Sequence, residues 1–269
     1  RQRQMCIRDR AEGGGTVILA RGSVAARMGL PVAGVVGFVS SYADGAHTSI
    51  PAPGLGALGA GRGGRSSRLA KALAALGVEA DDIALVSKHD TSTGANDPNE
   101  SELHTRLARA LGRSEGNSLV AVSQKTITGH AKGGAAVFQV AGLTEILASG
   151  VAPGNASLDV VDAPLAKDAF WVWPRKPIRL AGRGGEGGRI PGAGPVRAGL
   201  LTSLGFGHVS GLIAIVHPGA FEAALRQAAG QEAVDAWLTS ANARLAAGTR
   251  RRRAGMIGRA PLFEPVQGR

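Results

Sequence analysis

Two similar strand–loop units constrain the fold more than any other feature of this sequence. They are ALVSKHDTST (84–93) and VAVSQKTITGH (120–130). Each begins with a short apolar run typical of a buried strand and continues into a polar loop with a histidine, His89 in the first and His130 in the second. A helical pattern follows each loop. Strands that alternate with helices predict a mostly parallel sheet with helices on its faces, an α/β fold.

The other elements are predicted from the same signals. Gly77 follows a stripe of leucines and predicts the end of a helix over 66–77. Asp97 is the expected N-cap of the next helix, with Pro98 at its first helical position. The segment from about 132 to 150 has almost no polar face, which predicts a centrally buried helix. The predicted strands are 16–20, 31–42, 83–88, 118–124, 170–180 and 198–218, the last broken by a glycine turn.

Composition narrows the class of protein. The chain has 269 residues, enough for one large domain or two modest ones. Its single cysteine, Cys6, excludes an internal disulfide framework and a multi-cysteine metal site, so we expect a reducing cytoplasm. The six histidines show no close metal-ligand spacing, and GLGALG (54–59) follows a loop and not a strand, so we expect no bound metal or cofactor. No run approaches the roughly 18 apolar residues of a membrane span. The net charge is +11, and much of it lies in 1–10 and 250–253. Because aromatic residues are not interleaved with the arginines, this charge favours an acidic protein partner over nucleic acid.

The two histidine loops are predicted to lie in one cleft, because ligands gather at the carboxyl ends of parallel strands. His89 is suited to proton exchange near neutral pH. Thr91 and Thr93 can hydrogen-bond an amide-bearing ligand. Lys125 and the positive end of the following helix disfavour a charged His130, which leaves a neutral donor for a developing oxyanion.

A glycine-flanked turn is the third candidate element. In LGFGHVSG (204–211), Gly205 and Gly207 flank Phe206 and allow this segment to swing, with backbone N–H groups directed into a cavity. Each of the three patterns also has a purely structural interpretation: a hydrogen-bonded histidine in a turn, a polar surface loop, and a β-turn with an aromatic plug. Residue spacing alone leaves these alternatives open.

Together and in this order, the three motifs resemble those of β-ketoacyl synthases. KHDTST, with Asp97 and Glu100 close behind, resembles the family's His-Gly-Thr-Gly-Thr motif. KTITGHAKGG resembles its Lys–Gly-His motif, and GFGHVSG resembles its Gly-Phe-Gly gate. The variants SKHDTST and LTSLGFGHVSG are most similar to the ketosynthase of the large type I fatty acid synthases of actinobacteria. Asp90 and Ser92 stand where the commoner motif has glycines.

The resemblance implies a thiolase-like fold built from two similar halves. This chain would hold the second, C-terminal half plus the last strand of the first half, AEGGGTVILARG (11–22). On this basis, residues 11–218 are the C-terminal part of the ketosynthase domain and 219–269 are a helical tail. Residues 1–10 match no part of the family and are expected to be artefactual.

The family's activity implies a role for each motif residue. A cysteine carries the growing acyl chain, and malonyl-acyl carrier protein then enters. His89 and His130 would stabilise the enolate that forms as carbon dioxide leaves, with support from Lys125 and Glu100.

The remaining motif residues would handle the substrate. Thr91, Thr93 and Phe206 would contact the phosphopantetheine of acyl carrier protein. Phe206, with Gly205 and Gly207, would also form a gate and part of an oxyanion hole. The implied partners are acyl carrier protein, acyl and malonyl thioesters, other synthase domains and a second ketosynthase copy, with neither nucleic acid nor a membrane among them.

Cys6 is not expected to be the nucleophile. A reactive thiolate needs a small-residue elbow at a helix N-terminus, but Met5, Ile7 and Arg8 are bulky. We therefore expect the catalytic cysteine to lie upstream and this chain to be inactive in condensation. One alternative is a cysteine-less thiolase-fold partner that decarboxylates or sets chain length. A less favoured alternative is a basic nucleic-acid-binding module, which steeply salt-dependent binding would reveal.

Overall fold

The computed structural model describes six stretches of the chain, which are 11–44, 55–91, 96–166, 169–180, 196–205 and 209–261. They form two compact units. Within the described ranges, the first unit comprises 11–17 and 33–220, and the second comprises 18–32 and 221–261.

The described part of the first unit has eight strands, which are β1 (Val35–Ala43), β2 (Ile83–Ser87), β3 (Leu119–Val122), β4 (Val151–Ala152), β5 (Trp171–Val172), β6 (Ile178–Arg179), β7 (Ala198–Gly205) and β8 (Val209–Val216). Six of them form a sheet in the order β1-β8-β7-β2-β3-β5, and β4 pairs with β6.

This sheet is mixed, and the expectation of a mostly parallel sheet holds for three of its five strand pairs. Strands β7, β2, β3 and β5 are parallel neighbours. Strand β8 is antiparallel to both β7 and β1. Only three residues separate β7 from β8, and so short a connection joins only antiparallel strands.

The described α-helices are α1 (Gly22–Met28), α2 (Arg68–Ala74), α3 (Asn96–Ala110), α4 (Lys125–Thr128), α5 (Ala135–Ser149), α6 (Ala163–Ala166) and α7 (Gly219–Met256). Leucines of α2 and α3 pack into one hydrophobic cluster, and leucines of α5 pack into a second. On β2, Leu85 belongs to the second cluster and the adjacent Val86 to the first, because successive strand residues point to opposite faces. Helices therefore cover both faces of the sheet, as predicted.

The predicted helix boundaries hold with small differences. Ser67 caps α2 by accepting a hydrogen bond from the Ala70 N–H, and Gly77 follows the helix with a φ of 68°. Helix α3 begins at Asn96, so Asp97 lies in its first turn and is not the N-cap. Its leucine face is buried as predicted, at Leu103, Leu107 and Leu111.

Helix α5 buries one face and not its whole circumference. Gln139, Leu143, Ile146 and Leu147 are buried, whereas Glu145 is exposed. The prediction of a centrally buried helix is therefore wrong. The described residues cover only the side of α5 that faces the sheet.

The strand predicted at 16–20 is also wrong. These residues have no regular secondary structure, and Ile18 and Leu19 are 86% and 76% exposed. A buried strand needs a neighbour for its backbone N–H and C=O groups, and no described strand pairs with this segment.

The second unit is helical, as predicted for the C-terminal segment. Helix α7 is interrupted at Gly230, whose φ of 84° is not helical. Trp237 is buried, stacks edge-to-face on Phe221 at 4.8 Å and donates a hydrogen bond from Nε1 to the Leu30 carbonyl at 2.9 Å. Among the helices described in either unit, none is both long enough and apolar enough to cross a membrane.

Candidate active site

The candidate site lies at the carboxyl ends of β2 and β3, where sequence analysis places it. Strand β2 ends at Ser87, two residues before His89. Strand β3 ends at Val122, and the chain continues through α4 to His130. Strand β3 is fully buried, and β2 is buried except for the half-buried Ala84. The two strands are parallel, so their loops leave the sheet at the same end of the strands.

The structure brings His89 and His130 together. Their ring centroids are 5.6 Å apart, and the ring planes meet at 86°, an edge-to-face arrangement. His89 is buried, with 7% of its surface exposed, whereas His130 is half-buried. One imidazole is therefore held inside the protein, and the other borders solvent.

Lys125 fixes the protonated nitrogen of His89. Its Nζ lies 3.4 Å from His89 Nδ1 and also donates a hydrogen bond to the His89 carbonyl. An ammonium group only donates, so Nδ1 accepts and the neutral ring carries its proton on Nε2.

A backbone N–H fixes the tautomer of His130 in the same sense. The Lys132 N–H donates to His130 Nδ1 at 3.0 Å, which leaves the proton on Nε2. Both imidazoles therefore have a hydrogen-bond donor at Nε2.

Both histidines are held in the neutral form. Burial lowers the pKa of His89 to about 3, the charge on Lys125 acts in the same direction, and protonation of His130 would lower it further. Burial also lowers the pKa of His130, followed by the charges on Lys125 and Lys132. The pKa of Lys125 is itself lowered by burial, although Glu100 and Asp90 oppose that shift.

Glu100 acts on the backbone of the site and not on the rings. Its side chain is fully buried. Oε1 accepts from the His89 N–H at 2.6 Å, and Oε2 accepts from the Asp90 N–H at 2.9 Å. Thr202 donates its hydroxyl to Oε1. Glu100 therefore holds the turn that carries His89.

Sequence reasoning missed three buried polar residues behind this turn. Gln139 on α5 donates from Nε2 to the carbonyls of Ser87, Lys88 and Thr202 at 3.1, 2.9 and 3.1 Å.

The other two missed residues are Thr202 and His104. His104 Nε2 lies 3.1 Å from Thr202 Oγ1, and because that hydroxyl donates to Glu100, the histidine is the donor to Thr202. One sequence signal was available: Gln139 interrupts the otherwise apolar run from Ala135 to Leu143 in α5.

The predicted substrate-binding residues are only partly described. Thr91 is half-buried two positions after His89, and Gly205 is the last residue of β7. Thr93, Phe206 and Gly207 lie outside the described residues, as does Cys6. In the described stretches, His, Cys, Asp and Glu side chains do not form a group of three suited to a metal ion.

Comparisons with known proteins agree with the motifs. Residues 32–159 match the family model described as the C-terminal domain of β-ketoacyl synthase. This part of the chain is similar to ketosynthase C-terminal domains. The match includes β2, β3 and both histidine loops.

Curated relatives of this chain are fungal fatty acid synthase chains. Fatty acid synthase 2 of Mycosarcoma maydis is 35% identical over 77% of this chain, and the match spans 5% of that relative. The fatty acid synthase alpha subunit stcJ of Emericella nidulans is 36% identical over 77% of this chain and 13% of its own length. Fatty acid synthase subunit alpha of Saccharomyces cerevisiae is 40% identical over 57% of this chain and 8% of its own. The chain thus corresponds to a small part of each relative.

Solved structures confirm the thiolase-like fold. The noncanonical ketosynthase FabY from P. aeruginosa aligns with a TM-score of 0.72 and 22% identity, over 92% of this chain and 36% of that one. An oxazolomycin ketosynthase domain from Streptomyces albus aligns with a TM-score of 0.60, over 78% of this chain.

Proposed function

We propose that this chain decarboxylates a malonyl thioester, which is the first half of the condensation catalysed by a fatty acid synthase. The observation that carries the proposal is the pair of neutral histidines, 5.6 Å apart, in which each Nδ1 accepts a hydrogen bond. Each ring then offers Nε2–H to a thioester carbonyl. Such preorganised donors stabilise the oxygen most strongly when it becomes an enolate.

Neither the decarboxylation nor the condensation that follows it needs a cofactor. The bond between C2 and the carboxylate carbon of the malonyl group breaks, carbon dioxide leaves, and the electron pair moves into the enolate. C2 then attacks the carbonyl carbon of an acyl-cysteine thioester. The cysteine thiolate departs, and a 3-oxoacyl thioester remains on the carrier.

We propose that the cysteine of this second step is not Cys6. The bulky residues around Cys6 support this assignment, since a reactive thiolate needs small neighbours at a helix N-terminus. The nucleophile would belong to another part of the parent synthase. This chain by itself would not condense an acyl group with malonate.

The substrate and partners follow from the relatives. Because these are fatty acid synthase chains, we propose acyl carrier protein, the other synthase domains and a second ketosynthase copy as partners, in the cytoplasm. Thr91, Thr93 and Phe206 would bind the phosphopantetheine arm, and Gly205 and Gly207 would let the gate move. The motif variants support a parent of the actinobacterial type I class.

Release of carbon dioxide from a malonyl thioester tests the proposal. The 269-residue protein should release it above the uncatalysed rate, and His89→Ala and His130→Ala should each lower the rate about 100-fold or more. His217→Gln is the control. His217 follows β8 beside the start of β7, at the opposite end of the strands from the loops of His89 and His130. Equal rates in all four proteins would refute the proposal.

A second measurement separates the alternatives. Condensation after the addition of a cysteine-bearing first half would support the synthase assignment. Decarboxylation with no condensation in that reconstituted protein would support the cysteine-less partner.

A further inference from the structure

Lys88 and Asp90 flank His89 in the chain and form an ion pair of 2.7 Å. Lys88 is fully buried, and the side chain of Asp90 is 12% exposed. We propose that this ion pair positions His89, holding residues 88–90 in the turn that presents the imidazole to the site. This inference deepens the proposed function and rests on it for the chemical role of His89.

The surroundings of Lys88 form a cage for a charged ammonium group. Nζ donates to Ser101 Oγ at 3.1 Å and lies 4.7 Å from the centre of the Trp173 ring and 5.8 Å from that of Trp171. Burial lowers the pKa of Lys88, but the charges of Asp90 and Glu100 outweigh burial and raise it overall. The ammonium group is therefore charged, and its charge opposes the burial that raises the pKa of the Asp90 carboxyl.

The backbone of Asp90 needs such an anchor. Its φ is 27°, a positive value that residues other than glycine seldom adopt. This conformation lets the N–H groups of His89 and Asp90 both reach the carboxylate of Glu100. Lys125 holds the His89 carbonyl from another side. Glu100 and Lys125 thus hold the backbone of the turn, and the ion pair adds a contact between the side chains of Lys88 and Asp90 on either side of His89.

The two charges should act as a unit. An unpaired charge in a buried site is costly, whereas replacing both partners by neutral residues of similar size is often nearly neutral. Lys88→Met leaves the Asp90 carboxylate close to Glu100. Asp90→Asn leaves a buried ammonium group one residue from His89. Each single change should therefore disturb the turn more than both changes together.

A double-mutant cycle on the full chain tests the inference. We would measure urea unfolding and the ¹⁵N spectrum of the histidine rings at pH 7 for Lys88→Met, Asp90→Asn and the double variant. Each single variant should raise the unfolding equilibrium constant, and so favour the unfolded chain, by about 100-fold or more. If the two changes acted independently, their fold-changes in the unfolding equilibrium constant would multiply. The constant of the double variant should be at least tenfold lower than that product, and its His89 signals should be closer to those of the wild type.

The matched control is the Arg106–Glu102 pair on α3. It is 3.2 Å long, and its side chains are 52% and 55% exposed. The cycle of Arg106→Met and Glu102→Gln should show less than about fivefold coupling and unchanged His89 signals.

Two results would overturn the inference. One is additive effects of the two changes. The other is unchanged His89 signals in both single variants despite lost stability, which would make the pair only a stabiliser of the fold. If a single variant fails to fold, a folded double variant with wild-type His89 signals supports the inference, and an unfolded one contradicts it. None of these readouts needs catalysis, so a wild type without decarboxylase activity would refute the proposed function alone.

Discussion

Lys125 Nζ lies 3.4 Å from His89 Nδ1, so the lysine sets which ring nitrogen of His89 carries the proton. The same cation lowers the pKa of His89, after burial, and the pKa of His130. One residue therefore fixes the tautomer of one histidine and favours the neutral form of both. A pair of neutral donors is what a developing enolate requires.

Replacing Lys125 should raise the pKa of both histidines. In Lys125→Met, the pKa of His89 should increase from about 3 but stay below 6.5, because burial is the larger cause and is unchanged. A ring-proton titration by NMR measures this. Lys132→Met is the control, since Lys132 lowers the pKa of His130 and is not among the causes for His89. An unchanged His89 titration in Lys125→Met would show that the cation does not act on this ring.

Glu100 should be essential for stability. Glu100→Gln places an amide NH₂ against the backbone N–H of His89 or Asp90, so one buried donor loses its acceptor. We expect a loss of about 2–4 kcal/mol in the free energy of unfolding. Glu102→Gln, two residues away on an exposed part of α3, should change it by less than about 0.5 kcal/mol. Equal urea midpoints for the two variants would contradict this role.

His104 should make the fold sensitive to acid. Burial lowers its pKa to about 3, followed by the charge of Lys88. Between pH 6.5 and 3 the unfolded chain binds a proton at this residue and the folded chain does not, so stability falls as pH falls.

His104→Gln removes this contribution and keeps a donor for Thr202. Urea unfolding at pH 6 and pH 4 should show that the variant loses about 1 kcal/mol less per pH unit than the wild type. Parallel losses in the two proteins would mean that His104 is not the residue responsible.

Two adjacent glycines near His130 should differ sharply in tolerance. A Cβ on Gly134 would lie 2.7 Å from the Gly13 carbonyl oxygen, whereas a Cβ on Gly133 would meet nothing within 4 Å. Gly134→Ala should cost about 1–3 kcal/mol, because backbone must move. Gly133→Ala should be neutral or stabilising by up to about 1 kcal/mol. Thermal unfolding compares the two, and equal costs would refute the close approach of 11–15 to α5.

The sequence was sufficient to predict the strand–loop units that carry His89 and His130. Apolar runs and leucine stripes are local signals, and they correctly located β2, β3, α2 and α3. Pairing partners are not local. For this reason residues 16–20 were wrongly predicted to form a strand, and the antiparallel pairing of β8 with β7 and β1 was not predicted.

The supporting residues could not be predicted for a related reason. Thr202 reaches Glu100 across 102 positions of the chain, and His104 reaches Thr202 across 98. The residues around Lys88 in the sequence do not reveal its environment. Only the folded chain shows that its Nζ lies 4.7 Å from the centre of the Trp173 ring. Hydrogen bonds over such separations leave no periodic pattern in the sequence.

The protonation of the two rings decides whether the site can donate two hydrogen bonds to an enolate. The ¹⁵N spectrum of histidine-labelled protein at pH 7 reports, for each ring, which nitrogen carries a proton. We predict that His89 and His130 are both neutral, with the proton on Nε2 and a bare Nδ1. An imidazolium at either position, or a proton on Nδ1, would contradict the account.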